Sequence, residues 1–285
     1  MGRRIELKNR MNNNRTNFTF PDSHNITISR SWLLGLIEGE GSFYLERDRF
    51  RPVFQLSLTE IQLPVIEKIK EYLESNLGFD EYSMFKLKHS SVISIGTDNA
   101  RKNSKTMKKL VIKNINILVN YFIPFFDNIT FITKKGQDFK DFKIISTAIY
   151  NGVHRVDNIK SLILKLSYTM NNYRLSSNLE PVLYLSDEEF NTIIKANSTI
   201  IFLKDGRQID VITRKEVNRR WINCVYEIIN DSGEISLAST LDNAAEILDV
   251  TYRTLAKHLD REDLNVGDFV EIKGKKVRRV PVFYN

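Results

Sequence analysis

The chain has 285 residues, 42% hydrophobic and 11% aromatic, enough for a medium domain plus a smaller one with a core of its own. Its 42 Lys and Arg against 35 Asp and Glu leave a formal charge of +7, which favours a polyanionic partner, either nucleic acid or a membrane surface. No apolar run approaches the roughly 18–20 residues that cross a bilayer, the single Cys224 excludes an internal disulfide and a cysteine-rich zinc module, and His24, His89, His154 and His258 fall in no metal-ligating spacing. The N-terminus also lacks the apolar core of a secretory signal, so export is not expected.

Residues 1–27 are polar, basic and rich in Asn, the texture of a flexible arm that can touch phosphate. Order is expected from about Ser29. WLLGLIEGEGSF, Trp32 to Phe43, predicts a helix capped by Ser31, running through Glu38 and stopped by Gly41. Its residues Leu33, Leu34, Leu36 and Ile37 call for burial on several sides. SFYLERDRF and RPVFQLSLT then read as two strands around a polar turn at Asp48. IQLPVIEKIKEYLES sets Ile61, Val65, Ile66, Ile69 and Leu73 at helical spacing, with Pro64 tolerated in the first turn. EYSMFKLKHSSVISIG alternates like a hairpin, and MKKLVIK reads as a further strand. INILVNYF predicts a helix that stops before Pro124, QDFKDFKIISTAIY and NIKSLILKLSYTM predict two more, and 173–181 reads as a linker ending at Pro181.

A carboxylate at the end of an apolar helix needs a reason, and here two glutamates flank Gly39. The stretch LLGLIEGEG, Leu33 to Gly41, resembles the motif of the LAGLIDADG homing endonucleases in its glutamate form. YFIPFFDNITFITKKGQDFKDF, Tyr121 to Phe142, is similar to the second signature of that family, and the resemblance spans about Ile28 to Asn172. It implies an α+β domain over 28–172, αββαββα with a saddle-shaped antiparallel sheet. It further implies that Glu40, with the carbonyl of Gly39, ligates magnesium or another divalent cation, and that Lys134 stands near the attacked phosphate. Glu38 receives no metal-binding role and is expected to solvate the helix end. Some members carry a water-positioning glutamine near the end of the second strand; Leu58 stands there, a departure that bears on cleavage efficiency and not on fold.

Two such helices can cross closely where Gly35 admits backbone approach, so Leu33, Gly35 and Leu36 are the expected dimer interface. Paired carboxylates beneath the crossing demand a metal or a proton between them. The chain carries one motif, so a homodimer is predicted that reads a nearly palindromic duplex, each copy laying its sheet in the major groove. Outward residues Arg47, Arg49, Arg51, Gln55, Lys86 and Lys88 are the candidate base and phosphate contacts.

Residues 182–230 hold apolar runs but no recognisable motif and are left as a bridging segment. In 231–285, STLDNAAEILDVTYRTLAKHL reads as a helix-turn-helix with Ala244, Ala245 and Leu248 inward. It resembles the small DNA-binding modules often appended to homing endonucleases, and that implies DNA contact by Tyr252, Arg253, Lys257 and His258, with the basic tail KGKKVRR adding phosphate affinity. The expected function is site-specific, metal-dependent double-strand DNA cleavage that mobilises an intron. The alternative is an RNA maturase that grips its intron without cutting, a reading Leu58 favours and Glu40 opposes. Richness in Asn, Lys, Ile, Phe and Tyr points to an AT-rich organellar genome and to a mitochondrial location. No membrane partner is expected.

Overall fold

The computed structural model describes residues 27–100, 105–171, 184–203, 207–218, 223–261 and 263–284. The linker and all but the last residue of the arm lie outside them. Helix α1 (Arg30–Glu40) is capped by Ser29, whose hydroxyl accepts from the Trp32 amide at 3.2 Å, so it begins before Ser31 and runs on through both glutamates. Gly41 is required at its end: a Cβ there would lie 2.6 Å from the Ile37 carbonyl oxygen, and without one the chain turns straight into strand β1 (Gly41–Glu46).

After a turn at Arg47–Arg49 follow β2 (Arg51–Thr59) and helix α2 (Leu63–Asn76), which buries Ile66, Ile69 and Leu73. Ile61 falls before that helix and is 87% exposed, outside the apolar face it was expected to join. The predicted hairpin is half helix. EYSMFKLK forms α3 (Glu81–Lys88), because Asp80 accepts from the Ser83 amide at 2.7 Å and Ser83 and Leu87, four apart, share the buried face. Only β3 (Ile93–Asp98) and β4 (Met107–Ile112) complete the antiparallel sheet, in the order β1-β2-β4-β3.

Helical structure then continues through Pro124 instead of stopping before it, in the pieces Ile115–Ile117, Leu118–Phe122 and Ile123–Asp127. The middle piece is π-helical, and its wider turn accommodates the proline ring and the missing amide. Helices α4 (Lys135–Tyr150) and α5 (Asp157–Tyr168) cover the inner face of the sheet. There Phe43 packs its ring 5.4 Å from Phe54, 5.4 Å from Phe139 and 5.2 Å from Phe142, which ties the strand leaving the motif to α4. Pairs of this kind add about 0.5–1.5 kcal/mol each beyond the area they bury.

Leu58 belongs to the same core, 5% exposed on the inner face of β2. It is therefore not a site position lacking its glutamine. Leu58→Gln would bury an amide among apolar side chains and is expected to cost about 2–4 kcal/mol with no gain in cutting, read as a lowered thermal midpoint.

The bridging segment divides. Helix α6 (Asp187–Ile194), closed by a reciprocal cap between Ser186 and Glu189, packs on α4 and α5. It is followed by a three-stranded sheet of β5 (Ile200–Phe202), β6 (Gln208–Asp210) and β7 (Glu216–Asn218). A boundary at 231 falls inside a hairpin: β8 (Cys224–Ile229) pairs with β9 (Ile235–Ala238) in a sheet completed by β10 (Val270–Ile272) and β11 (Lys275–Pro281). Helices α7 (Leu241–Ile247) and α8 (Tyr252–Leu259) pack on this sheet through Ala244, Ala245, Leu248 and Leu255.

The basic tail is a strand with its cations engaged. Lys273 meets Asp249 at 2.8 Å, Arg278 meets Glu227 at 3.0 Å and Arg279 meets Asp260 at 2.8 Å. Among the described residues no helix is long and apolar enough to cross a membrane.

Candidate active site and nucleic-acid interface

Helix α1 has two faces. Leu33, Leu34 and Ile37 enter the core, while Trp32 (43% exposed), Gly35, Leu36 and Gly39 form an outward stripe that ends at the exposed Glu40. Leu33, at 1% exposure, is thus not an interface residue, and Trp32 stands in its place on the outer face. The spacing 32, 35, 36, 39 carried this division, because residues three and four apart share a helix face. Among the described residues, a Cβ at Gly35 or Gly39 would meet nothing within 4 Å.

Glu38 does more than solvate the helix end. Its carboxylate accepts the backbone amides of Ile132 and Thr133, the latter at 2.9 Å, in the loop that leads to Lys134 and α4. Burial by itself would raise its pKa, but the bonds from Thr133 and Ile132, together with the charge of Lys135, outweigh it and hold the carboxyl below its usual value. The clamp is therefore complete above the ordinary glutamate pKa of 4.5 and is lost as pH falls through the lower folded value. Glu38 lies two residues before Glu40, and Thr133 one before Lys134, so the clamp tethers the predicted metal ligand to the predicted phosphate contact. Sequence spacing alone could not show it, since ninety-odd residues separate the partners. Lys134 is exposed at the start of α4, where a cation opposes the helix dipole and contributes nothing to helix stability.

Among the described residues no group of three or more His, Cys, Asp and Glu could hold a metal ion. At the end of α1 stands the exposed carboxylate of Glu40, beside the Gly39 carbonyl. That donor set is hard oxygen, of the kind that suits magnesium.

The outer face of the four-stranded sheet carries Arg51 and Gln55 with Tyr44, Ser57 and Lys109, which register places side by side: Ser42 opposite Gln55, Gln55 opposite Val111, Ser57 opposite Lys109. Gln55 accepts from the Tyr44 hydroxyl at 3.2 Å and donates to Ser57 at 2.9 Å. Arg51 pairs with Glu46, which Lys113 also meets at 2.7 Å. These two cations overcome the upward push of burial and keep the Glu46 carboxyl below its usual pKa. Tyr44, Ser57 and Lys109 were missed, although period-two alternation on these strands marks them as outward.

Three expected contacts are displaced. Arg47 donates to Ser167 Oγ at 2.9 Å and lies over the Tyr168 ring at 3.8 Å, bracing the turn against α5. Lys86 and Lys88 lie on α3 instead of a strand, and the Lys86 ammonium donates to the Ser239 carbonyl in the C-terminal unit, its pKa pulled down by burial. Arg49 is exposed in the turn. On α8, Tyr252, Arg253, Lys257 and His258 are exposed while Leu255 and Leu259 are buried.

A model described as LAGLIDADG endonuclease matches residues 33–146, from the first residue of the motif into α4. Over these residues the chain is similar to the LAGLIDADG endonucleases. No curated protein matches it. Among solved structures it is similar to the LAGLIDADG homing endonuclease I-GzeII in complex with its DNA target, at 19% identity and a TM-score of 0.43 over 60% of this chain and 53% of that one. I-LtrWI bound to target DNA gives 21%, a TM-score of 0.42 and the same coverage. The archaeal intron-encoded I-Vdi141I complexed with DNA gives 26% and 0.36 over 58% of this chain and 94% of its own. The chain thus spans about half the length of the first two.

In the domain that carries the motif the Glu38 clamp gives a sharp test. Glu38→Ala is expected to slow single-turnover cutting roughly 10- to 100-fold while DNA affinity changes little, since a misplaced Lys134 harms alignment more than binding. An unchanged rate would remove Glu38 from the site.

Proposed function

We propose that the chain is a site-specific DNA endonuclease that works as a homodimer, cutting both strands of a nearly palindromic duplex and so mobilising an intron. The observation that carries this reading is Glu40, exposed at the end of a helix whose outward stripe is Gly35, Leu36 and Gly39, where among the described residues a Cβ at either glycine would meet nothing within 4 Å. A second copy crossing at that stripe brings two carboxylates and two Gly39 carbonyls together, a donor set for divalent cations. Magnesium held there supplies water activation and neutralisation of charge on the phosphate. Lys134 stabilises negative charge developing on the phosphate oxygens, and Glu38 holds its loop in place.

Arg51, Gln55 and Lys109 on the outer sheet face contact phosphates and base edges in the major groove, arginine suiting guanine and glutamine suiting adenine. Tyr252, Arg253 and Lys257 on α8 make a second set of contacts. Leu58, the one residue that favoured the maturase, bears on the question no longer because it is core. Composition supports a mitochondrial location.

The test is cleavage of a duplex recovered from a randomised pool by its affinity for the protein. Cutting of both strands with magnesium and none after chelation is expected. Magnesium-independent cutting would overturn the metal role, and binding without cutting, with intron RNA the tighter ligand, would favour the maturase.

A further inference from the structure

We infer that the C-terminal unit is locked to the endonuclease domain, so that α8 meets DNA at one fixed distance and helical phase from the cleavage centre. The inference rests on the reading of α8 as a DNA-contacting helix.

Helix α3 is one more element than the αββαββα pattern requires, and its residues turn toward the C-terminal unit. The Tyr82 hydroxyl donates to Glu227 on β8, the Lys86 ammonium donates to the carbonyl of Ser239, and Ser83 Oγ accepts from the Phe283 amide at 3.0 Å. Ser239 immediately precedes Thr240, the cap of α7, so the lysine bond fixes the start of the helix pair itself.

From the other side the last strand runs into the endonuclease domain. Phe283 is 0% exposed, its ring 5.9 Å from Phe79, and its carbonyl accepts from Asn120 at 3.0 Å. The Tyr284 carbonyl accepts from the Tyr121 hydroxyl at 3.2 Å, and Val225 and Val282 are buried in the core of the endonuclease domain. Tyr121 and Asn120 belong to the helical run that precedes the Lys134 loop, and α3 leads into the edge strand of the DNA-facing sheet.

Swinging the unit away would expose Val225, Val282 and Phe283, break the bond from Tyr82 to the buried Glu227 and leave the Phe283 amide without Ser83 Oγ. Groups so placed make a poor hinge, because each buried polar atom left unpaired and each apolar side chain left wet opposes opening. A flexible tether would let α8 search many spacings; a docked unit permits one.

The test uses the full chain, with Glu40→Gln to prevent cutting. Glu67 and Glu246 are exposed and Cys224 is buried, so a Glu67→Cys/Glu246→Cys variant can be spin-labelled selectively and, refolded with excess unlabelled chain so that a dimer carries at most one labelled copy, the distance between the two bodies measured. One narrow distance, unchanged on adding the selected duplex, is expected, and a broad distribution would overturn the lock. On duplexes with 5 or 10 base pairs inserted between the inner and outer protected segments, the outer footprint is expected to vanish and affinity to fall at least tenfold at both spacings. An outer footprint that persists at both means α8 reads DNA from a flexible tether, which overturns the lock and leaves the DNA-contact reading standing. If wild type gives no outer footprint on any duplex and a Tyr252→Ala/Arg253→Ala variant binds as tightly as it does, α8 is removed from DNA and the proposal is overturned through its premise; a narrow spin-label distance in the same protein would mark that failure as one of contact and not of docking.

Discussion

Glu40→Gln is expected to bind the selected duplex as wild type does and to cut it at least about 1,000-fold more slowly, as read by single-turnover cleavage beside equilibrium binding. Glu40 is exposed at the end of α1 and, among the described residues, has no hydrogen-bond or ion-pair partner, so the fold does not depend on its charge. The amide has nearly the carboxylate's shape but cannot balance a divalent cation. Metal ions contribute several kcal/mol of transition-state charge stabilisation, and about 4 kcal/mol corresponds to three decades in rate. A variant that cuts within tenfold of wild type would remove Glu40 from the chemistry.

Gly35→Arg is expected to leave a well-folded monomer that does not cut. Among the described residues nothing lies within 4 Å of a Cβ at Gly35, and replacing glycine inside a helix gains roughly 0.5–1 kcal/mol, so the thermal midpoint should hold or rise slightly. The same side chain would stand between two crossing helices and face its own like charge across the two-fold axis. Sedimentation should give the mass of one chain, and double-strand cleavage should be undetectable. A monomer cutting at the wild-type rate would show that one chain suffices.

Much of the domain was legible because its signals are local. Gly41 stops α1, and alternation in SFYLE and RPVFQLSLT gives β1 and β2. Ala244, Ala245 and Leu248 mark the inner face of α7 and the turn after it. The failures have physical reasons of the opposite kind. EYSMFKLK is short enough to satisfy both periods, and the Asp80 cap and contacts with a unit more than 130 residues away make it a helix. Pro124 was read as a stop, whereas a π-helical turn absorbs it. At the site, Glu40 was visible through its motif. The roles of Glu38 and Arg47 were not, since each depends on a partner 95 or more residues distant that no spacing in the sequence brings near.

The central claim, that two copies share one catalytic centre through their Glu40 carboxylates, is tested most directly by mixing. Wild type and Glu40→Gln are unfolded and refolded together at varied ratios, total protein held constant, and double-strand cleavage is measured under magnesium. If the centre is shared, cutting falls with the square of the wild-type fraction, to about a quarter at an equal mixture. A fall in simple proportion, to one half, would mean that each chain cuts alone and would contradict the account.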